Sequence, residues 1–384
     1  MKKKLALWAL WMGCVVSVAA CGRIKETDSQ PGVQEITFQK GDSSEKETSR
    51  ATSSGKGETL AQETELPPQA GKTGKGEGGY DKITSKAKVK RFGGTVQIGE
   101  SGFELYNYVK SSAEKYAAVV NGTAKKLKGQ SQVYDMVVPT SVGITLPDNK
   151  ADKINSSNQQ QAIRAIYRKL GKNVTGVELY DILMQHRKEY IYFRTDHHWT
   201  QKGAYYAYRA FCDEKGLTAH ELSEYSSKRF GSYLGSFYLD TNKSKELRRD
   251  KVRAYYPVDN KKIEMIYTTD SGSRIHSPVI CDGSRYGISL KYCAFIAGDN
   301  PYSVIKNKKK KDGSSCIVVK ESFGNAFVPF LADHYQKVYV VDYRYWKGSV
   351  TELAKKEKVQ DVIFINNISM TRNSYLLGKM AQVE

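Results

Sequence analysis

The stretch Arg194-Thr195-Asp196-His197-His198-Trp199-Thr200 sets a carboxylate two residues from an imidazole, in a chain with only 6 His. A carboxylate so placed can hold the ring in one tautomer and stabilise its cation. Two surface His beside a capping Asp would be the plainer use of the same residues. An acid–base pair needs a group to activate, and Ser322 in Lys320-Glu321-Ser322-Phe323-Gly324-Asn325 is the candidate. It stands where an apolar run, 316–320, meets a helical pattern over 323–331. Backbone N–H groups at a helix start can hold a developing oxyanion. A Ser at such a junction is also a common N-cap, and taken alone Ser322 fits that reading better.

The elements around these motifs read as an α/β chain. Leu105, Val109, Ala113, Tyr116, Val119 and Val120 fall at helical spacing and predict a helix over 104–127. Residues 133–138 read as a buried strand, 158–170 as a helix closed by Gly171, and 174–180 and 189–194 as strands. A helix over 200–215 has Thr200 as N-cap and Gly216 as its stop. Residues 230–305 are turn-rich, with strand patterns at 233–239, 252–256, 263–268 and 292–297, and predict a β-rich insertion or edge region. Strands at 316–320, 337–342 and 362–366 then alternate with helices at 323–331 and 350–356. That order predicts a parallel sheet with right-handed crossovers. No internal repeat is visible.

The chain has 384 residues, 40% hydrophobic, with 26 Tyr and a net charge of +19. Its mean hydropathy of -0.55 excludes a polytopic membrane protein. Lys2, Lys3 and Lys4 precede an uncharged run, 5–20, that is too short for a comfortable span of a ~30 Å hydrocarbon core. Val18-Ala19-Ala20-Cys21-Gly22 reads as a lipobox, with 1–20 a signal peptide and Cys21 lipidated. An exported protein held on the outer face of the cell membrane is the expectation. Residues 21–80 are polar and read as a disordered tether, leaving 81–384 as the folded domain. Export disfavours nucleic acid, so anionic envelope polymers and lipid headgroups are the expected partners of the positive charge. The run Lys306-Asn307-Lys308-Lys309-Lys310-Lys311 reads as an exposed loop. Cys212, Cys281, Cys293 and Cys316 form no CxxC pair, so no zinc ribbon is expected. Cys281 and Cys293 are the nearest candidates for a disulfide, and free buried thiols fit equally well.

Asp196-His197-His198-Trp199 is the name-giving tetrapeptide of the DHHW family of exported Gram-positive proteins, which the chain resembles over about residues 81–384. That family is similar to the SGNH-like periplasmic alginate O-acetyltransferases, where an Asp-x-His-Trp motif is followed well downstream by a Ser at a helix start. The resemblance implies an SGNH-hydrolase-like parallel sheet flanked by helices, with Ser322 as nucleophile, His198 as base and Asp196 as its orienter. His197 falls at the variable position. In SGNH enzymes an Asn after a later strand adds an oxyanion donor, and Asn366 or Asn367 stands there, although Asn at a strand end is also a turn residue. Arg344, after strand 337–342, could meet an anionic or polyhydroxyl substrate or serve in a structural ion pair.

With water as acyl acceptor such a site is a carbohydrate esterase; with a sugar hydroxyl it is an O-acetyltransferase. The resemblance favours transfer to a cell-surface polysaccharide, with a membrane-bound O-acyltransferase as acetyl donor and no cofactor. A non-catalytic glycan-binding lipoprotein on the same scaffold is the alternative. Asp-His-His also names a family of metal-dependent phosphoesterases. Here no upstream Asp-x-Asp cluster or downstream Gly-rich motif accompanies it, and a metal site is not expected.

Overall fold

The computed structural model describes residues 82–384. The expected signal peptide, lipidated Cys21 and tether lie outside the described residues. α1 (Lys82–Lys86) leads into an antiparallel meander of β1 (Val89–Phe92), β2 (Thr95–Ile98) and β3 (Ser101–Glu104). Val96, Ile98 and Phe103 build a small core with Val142 and Ile154. The helix expected from residue 104 starts later, as α2 (Lys110–Lys126), because Glu104 pairs with Thr95 in the meander and Val109 is extended at φ −122°. β4 (Gln132–Val138), α3 (Ser141–Ile144) and α4 (Gln159–Tyr167) follow, the last capped by the Asn158 side chain. The strand expected over 174–180 is only β5 (Val174–Gly176), and α5 (Tyr180–Gln185) takes over at its end.

Residues 189–194 form no strand. Their amides close a local loop instead, with Phe193 N donating to His198 O at 3.2 Å and Thr200 N to Ile191 O at 2.9 Å. α6 (Gln201–Lys215) begins and ends as the sequence predicts: Thr200 accepts from Gly203 N, and Gly216 closes it at φ +74°. Next come β6 (Ser227–Tyr233), α7 (Ser236–Asp240) and β7 (Asp250–Tyr255). The strand expected over 233–239 is thus the end of β6 followed by a helical turn. β8 (Ile263–Thr268), β9 (Arg274–Ser277) and β10 (Tyr302–Asn307) complete the β-rich segment. Residues 292–297 do not extend it: Lys291–Ala294 is a 3-10 turn, and Ile296 and Ala297 have positive φ.

The C-terminal alternation is β11 (Ser315–Lys320), α8 (Gly324–Leu331), β12 (Lys337–Asp342), α9 (Val350–Glu357), β13 (Asp361–Asn367) and α10 (Ser374–Gln382). The main sheet runs β5-β4-β13-β11-β12-β10-β8-β9. β5, β4, β13, β11 and β12 pair in parallel, while β10, β8 and β9 continue it antiparallel beside β12. The β-rich segment therefore supplies the sheet edge, and β6 and β7 form a ribbon of their own.

Alternation along the buried strands feeds two cores. Cys316, Val318, Val340 and Ile363 meet Phe211, Phe327 and Phe330 from α6 and α8 on one face. Ile317, Val319, Val341 and Phe364 meet Tyr116, Ile163 and Ala354 from α2, α4 and α9 on the other. Helices cover both faces, so the fold is an SGNH-hydrolase-like α/β sandwich. α8 leaves β11 on the first face and α9 leads into β13 on the second. The connections thus part at the C-terminal end of β11, where open α/β sheets place ligand sites.

None of Cys212, Cys281, Cys293 and Cys316 is in a disulfide, so the Cys281–Cys293 pairing is not made. In the lysine run, Lys308 pairs with Glu264 and Lys309 with Asp259 at the surface. Among the described residues no helix is long and apolar enough to cross a membrane.

Candidate active site

β11 delivers the chain to Glu321 and Ser322 at the start of α8. Phe323, not Ser322, occupies the N-cap position, and no side chain caps the helix. The Ser322 hydroxyl lies instead 2.7 Å from His198 Nε2. On the other side of the ring, His198 Nδ1 is 2.6 Å from Asp196 Oδ1. An ionised carboxylate at that distance places the ring proton on Nδ1, which leaves Nε2 to accept from Ser322. All three side chains are buried.

Asp196 is kept ionised. Burial opposes its charge, but the neighbouring His198 and His197 rings, and N–H donors from His198 and Ser236, hold its carboxyl well below the usual range. Oδ1 accepts from His198 N at 3.0 Å and Oδ2 from Ser236 N at 3.0 Å. The second bond needs a glycine beside it: a Cβ on Gly235 would sit 2.1 Å from Asp196 Oδ2. The segment before Asp196 is clamped by buried Asp250. That carboxylate accepts from Thr195 N at 2.7 Å, from the Thr195 hydroxyl at 2.6 Å and from Arg194 N at 3.0 Å.

Two further contacts join the motif loop to the serine turn. Trp199 Nε1 donates to Phe323 O at 2.9 Å. Tyr292 stacks on His198 with ring centroids 3.9 Å apart, and its hydroxyl donates to Ser322 O at 3.1 Å. Tyr292 lies in the 3-10 turn whose sequence imitates a strand, so nothing in its spacing marked it.

Glu321 was in view beside Ser322 but carried no sequence signal. Its Oε2 accepts from Ser322 Oγ at 3.2 Å and from Phe323 N at 3.3 Å, and Oε1 from Asn367 N at 2.9 Å. Burial raises its pKa, and the opposing field of Arg344 and these N–H donors does not fully offset that. The Ser322 N–H makes no hydrogen bond among the described residues and remains available as a donor.

The remaining sequence candidates have other partners. Asn366 is fully buried, with Nδ2 3.4 Å from the Tyr116 hydroxyl. The Asn367 side chain accepts from Met370 N and caps a 3-10 turn, so only its backbone N–H reaches toward the site, through Glu321. Arg344 forms a bidentate pair with Asp342, at 2.8 and 2.6 Å, and a third contact with Asp299 at 2.9 Å. Lys320 and Asn325 join the same network, at 2.7 Å to Asp342 and 2.8 Å to Asp299 respectively. The ion-pair alternative for Arg344 is the one its contacts match, and Asp299 is the partner that sequence reading missed. Asp196, His197 and His198 do offer ligand atoms within 4.8 Å of one another. Both His198 nitrogens, however, already face Asp196 and Ser322, and His197 Nδ1 meets the Ser236 hydroxyl at 2.7 Å.

The mixed sheet is covered by helices on both faces, Ser322 follows its central strand and Asp196 and His198 precede α6, in an SGNH-hydrolase-like α/β fold. The sequence matches the family model described as DHHW protein over residues 77–341, and the chain belongs to that family. A DHHW family protein from Eubacterium siraeum superposes with a TM-score of 0.69 at 28% identity, covering 76% of this chain and 97% of that one. Bacillus cereus PatB1, in a structure with a sulfonyl adduct, gives 0.63 at 17% identity, covering 76% and 98%. No curated protein matches by sequence.

Proposed function

We propose that the chain is an acyl-ester enzyme in which Ser322 is the nucleophile, His198 the general base and Asp196 the group that orients it. The carrying observation is the continuous hydrogen-bond chain from Asp196 through His198 to Ser322. Neutral His198 accepts the Ser322 proton at Nε2 as Oγ attacks the acyl carbonyl, and ionised Asp196 stabilises the resulting imidazolium. The Ser322 N–H, which makes no hydrogen bond among the described residues, would donate to the developing oxyanion. His198 then returns the proton to the leaving oxygen, and an acyl-serine remains. In the second half His198 deprotonates an acceptor hydroxyl, which attacks the acyl-serine; the bond to Ser322 Oγ breaks, His198 returns the proton to Oγ, and the acceptor leaves as the new ester.

We take the acceptor to be a hydroxyl of a cell-surface polysaccharide and the reaction to be O-acetyl transfer. A membrane-bound O-acyltransferase would supply the acetyl group from across the membrane. The family resemblance and the polar, exported character of the sequence support this reading. Lipidation at Cys21 would keep the enzyme on the outer face of the cell membrane, with residues 21–80 as its tether.

The test is turnover of p-nitrophenyl acetate with and without an acceptor oligosaccharide. Release of p-nitrophenol that survives EDTA and falls by about 10³-fold or more in Ser322→Ala supports the serine mechanism. Acetylated oligosaccharide in the mass spectrum decides for transfer over hydrolysis. A sulfonyl fluoride should add one sulfonyl group to the wild type and none to Ser322→Ala. Equal turnover by the two proteins would sink the proposal and leave a glycan-binding scaffold.

A further inference from the structure

The segment that leads into Asp196 also borders a basic cleft. Arg194, Arg229, Arg248, Arg249 and Lys251 line a space of about 170 Å³ together with buried Tyr190 and Asp250. Asp250 is no free counter-ion for the exposed Arg249 and Lys251 of this cleft. Its oxygens are taken up by the amides of Arg194 and Thr195 and by the hydroxyls of Thr195 and Tyr190. Arg194 Nη1 is 3.7 Å from it, and the Arg194 guanidinium lies over the Tyr190 ring. Glu100 pairs with Arg248 at 3.5 Å. Arg249 and Lys251 are exposed and make no ion pair among the described residues.

Like charges gathered in one concavity repel each other, and a bound anion relieves that repulsion. Arginine forks match the paired oxygens of carboxylates and phosphodiesters. We propose that this cleft binds the acidic groups of an anionic glycan chain. The position fits a substrate-holding role, because Asp250 both lines the cleft and clamps the two residues before Asp196. As an acceptor subsite the cleft rests on the proposed acyl transfer; as a binding site it can be measured without turnover.

The experiment is fluorescence anisotropy with labelled oligogalacturonate and labelled poly(glycerol phosphate), each against a neutral labelled chitooligosaccharide. Three proteins are compared: wild type, Arg249→Glu/Lys251→Glu, and Lys355→Glu/Lys356→Glu. The last pair makes the same charge change on exposed residues of α9. Thermal midpoints check that each protein is folded. Wild type and the α9 variant should bind at least one acidic probe alike and the neutral probe far more weakly. The cleft variant should bind that acidic probe at least about tenfold more weakly. Equal weakening in both variants would mean that net charge alone attracts the polymer and would overturn the proposal. So would failure of wild type to bind either acidic probe. Cleft-dependent binding without ester turnover would remove the proposed chemistry and leave the cleft; turnover without such binding would do the reverse.

Discussion

The Glu321 carboxylate accepts from the Ser322 hydroxyl at 3.2 Å while His198 Nε2 stands 2.7 Å from the same oxygen. One hydroxyl proton cannot serve both acceptors. In the proposed mechanism an ionised Glu321 therefore competes with His198 for that proton and sets negative charge beside the developing oxyanion. Burial pushes the Glu321 carboxyl up, so its neutral form is reached at higher pH than for an exposed glutamate. In the wild type, acidification through that titration should favour the His198-directed hydroxyl. Glu321→Gln should raise kcat/KM on the alkaline side by roughly threefold to tenfold and remove that acid-side gain. A pH–rate profile with the wild-type shape would show that Glu321 serves only the backbone of Phe323 and Asn367.

Gly235 limits how Asp196 can sit. A Cβ 2.1 Å from Oδ2 is closer than any real contact, so Gly235→Ala must displace the carboxylate or the α7 start. The expected result is a drop in kcat on the order of 10²-fold, since a displacement of about 1 Å at a reacting group can cost that much. Steady-state kinetics beside a thermal melt check it: the fall should appear in kcat without loss of cooperative unfolding.

Trp199 ties the motif loop to the serine turn through its 2.9 Å bond to Phe323 O. Trp199→Phe keeps an aromatic ring but removes the donor from a buried carbonyl. Chemical denaturation should show a loss of about 1–3 kcal/mol. Ester turnover should fall with it through kcat, leaving KM little changed, because the altered contact positions Ser322 and touches no substrate.

Beneath the sheet, Asp135 on β4 faces Tyr116, whose hydroxyl donates to Oδ1 at 2.5 Å, and Oδ2 has no hydrogen-bond partner among the described residues. Burial raises the Asp135 pKa to about 7, against the opposing bonds from Tyr116 and Met136 N. The raised value fixes the sign of the pH dependence. The neutral carboxyl's contribution is fully present below the unfolded value near 4 and is lost as pH rises through about 7. Keeping this group charged above that pH costs the fold about 4 kcal/mol. Asp135→Asn should therefore raise the thermal midpoint most at pH 8, by less at pH 5, and change it little below about pH 4. An equal shift across this range would show that Asp135 does not titrate in this window.

Much of the site was legible because its signals are local. Asp196 and His198 are two residues apart, and Thr200 and Gly216 bound the next helix by the ordinary chemistry of caps. β12 could be read to the residue, because a buried parallel strand is a continuous apolar run. Elements failed where long-range partners override spacing. Residues 189–194 alternate like a strand, yet Asp250 and the loop's own carbonyls take their amides. Residues 292–297 do the same and become the turn that stacks Tyr292 on His198.

The sequence by itself determined the residue types of the proposed acid–base pair, the serine, the alternation of the C-terminal half and the family. Tertiary structure alone decided that Ser322 faces His198 instead of capping α8, and that Arg344 is held by Asp342 and Asp299. It also decided that Glu321 stands within hydrogen-bond reach of the Ser322 hydroxyl and that Gly235 makes room for Asp196. Those contacts join residues far apart in the chain or depend on side-chain direction. Spacing along the sequence encodes neither.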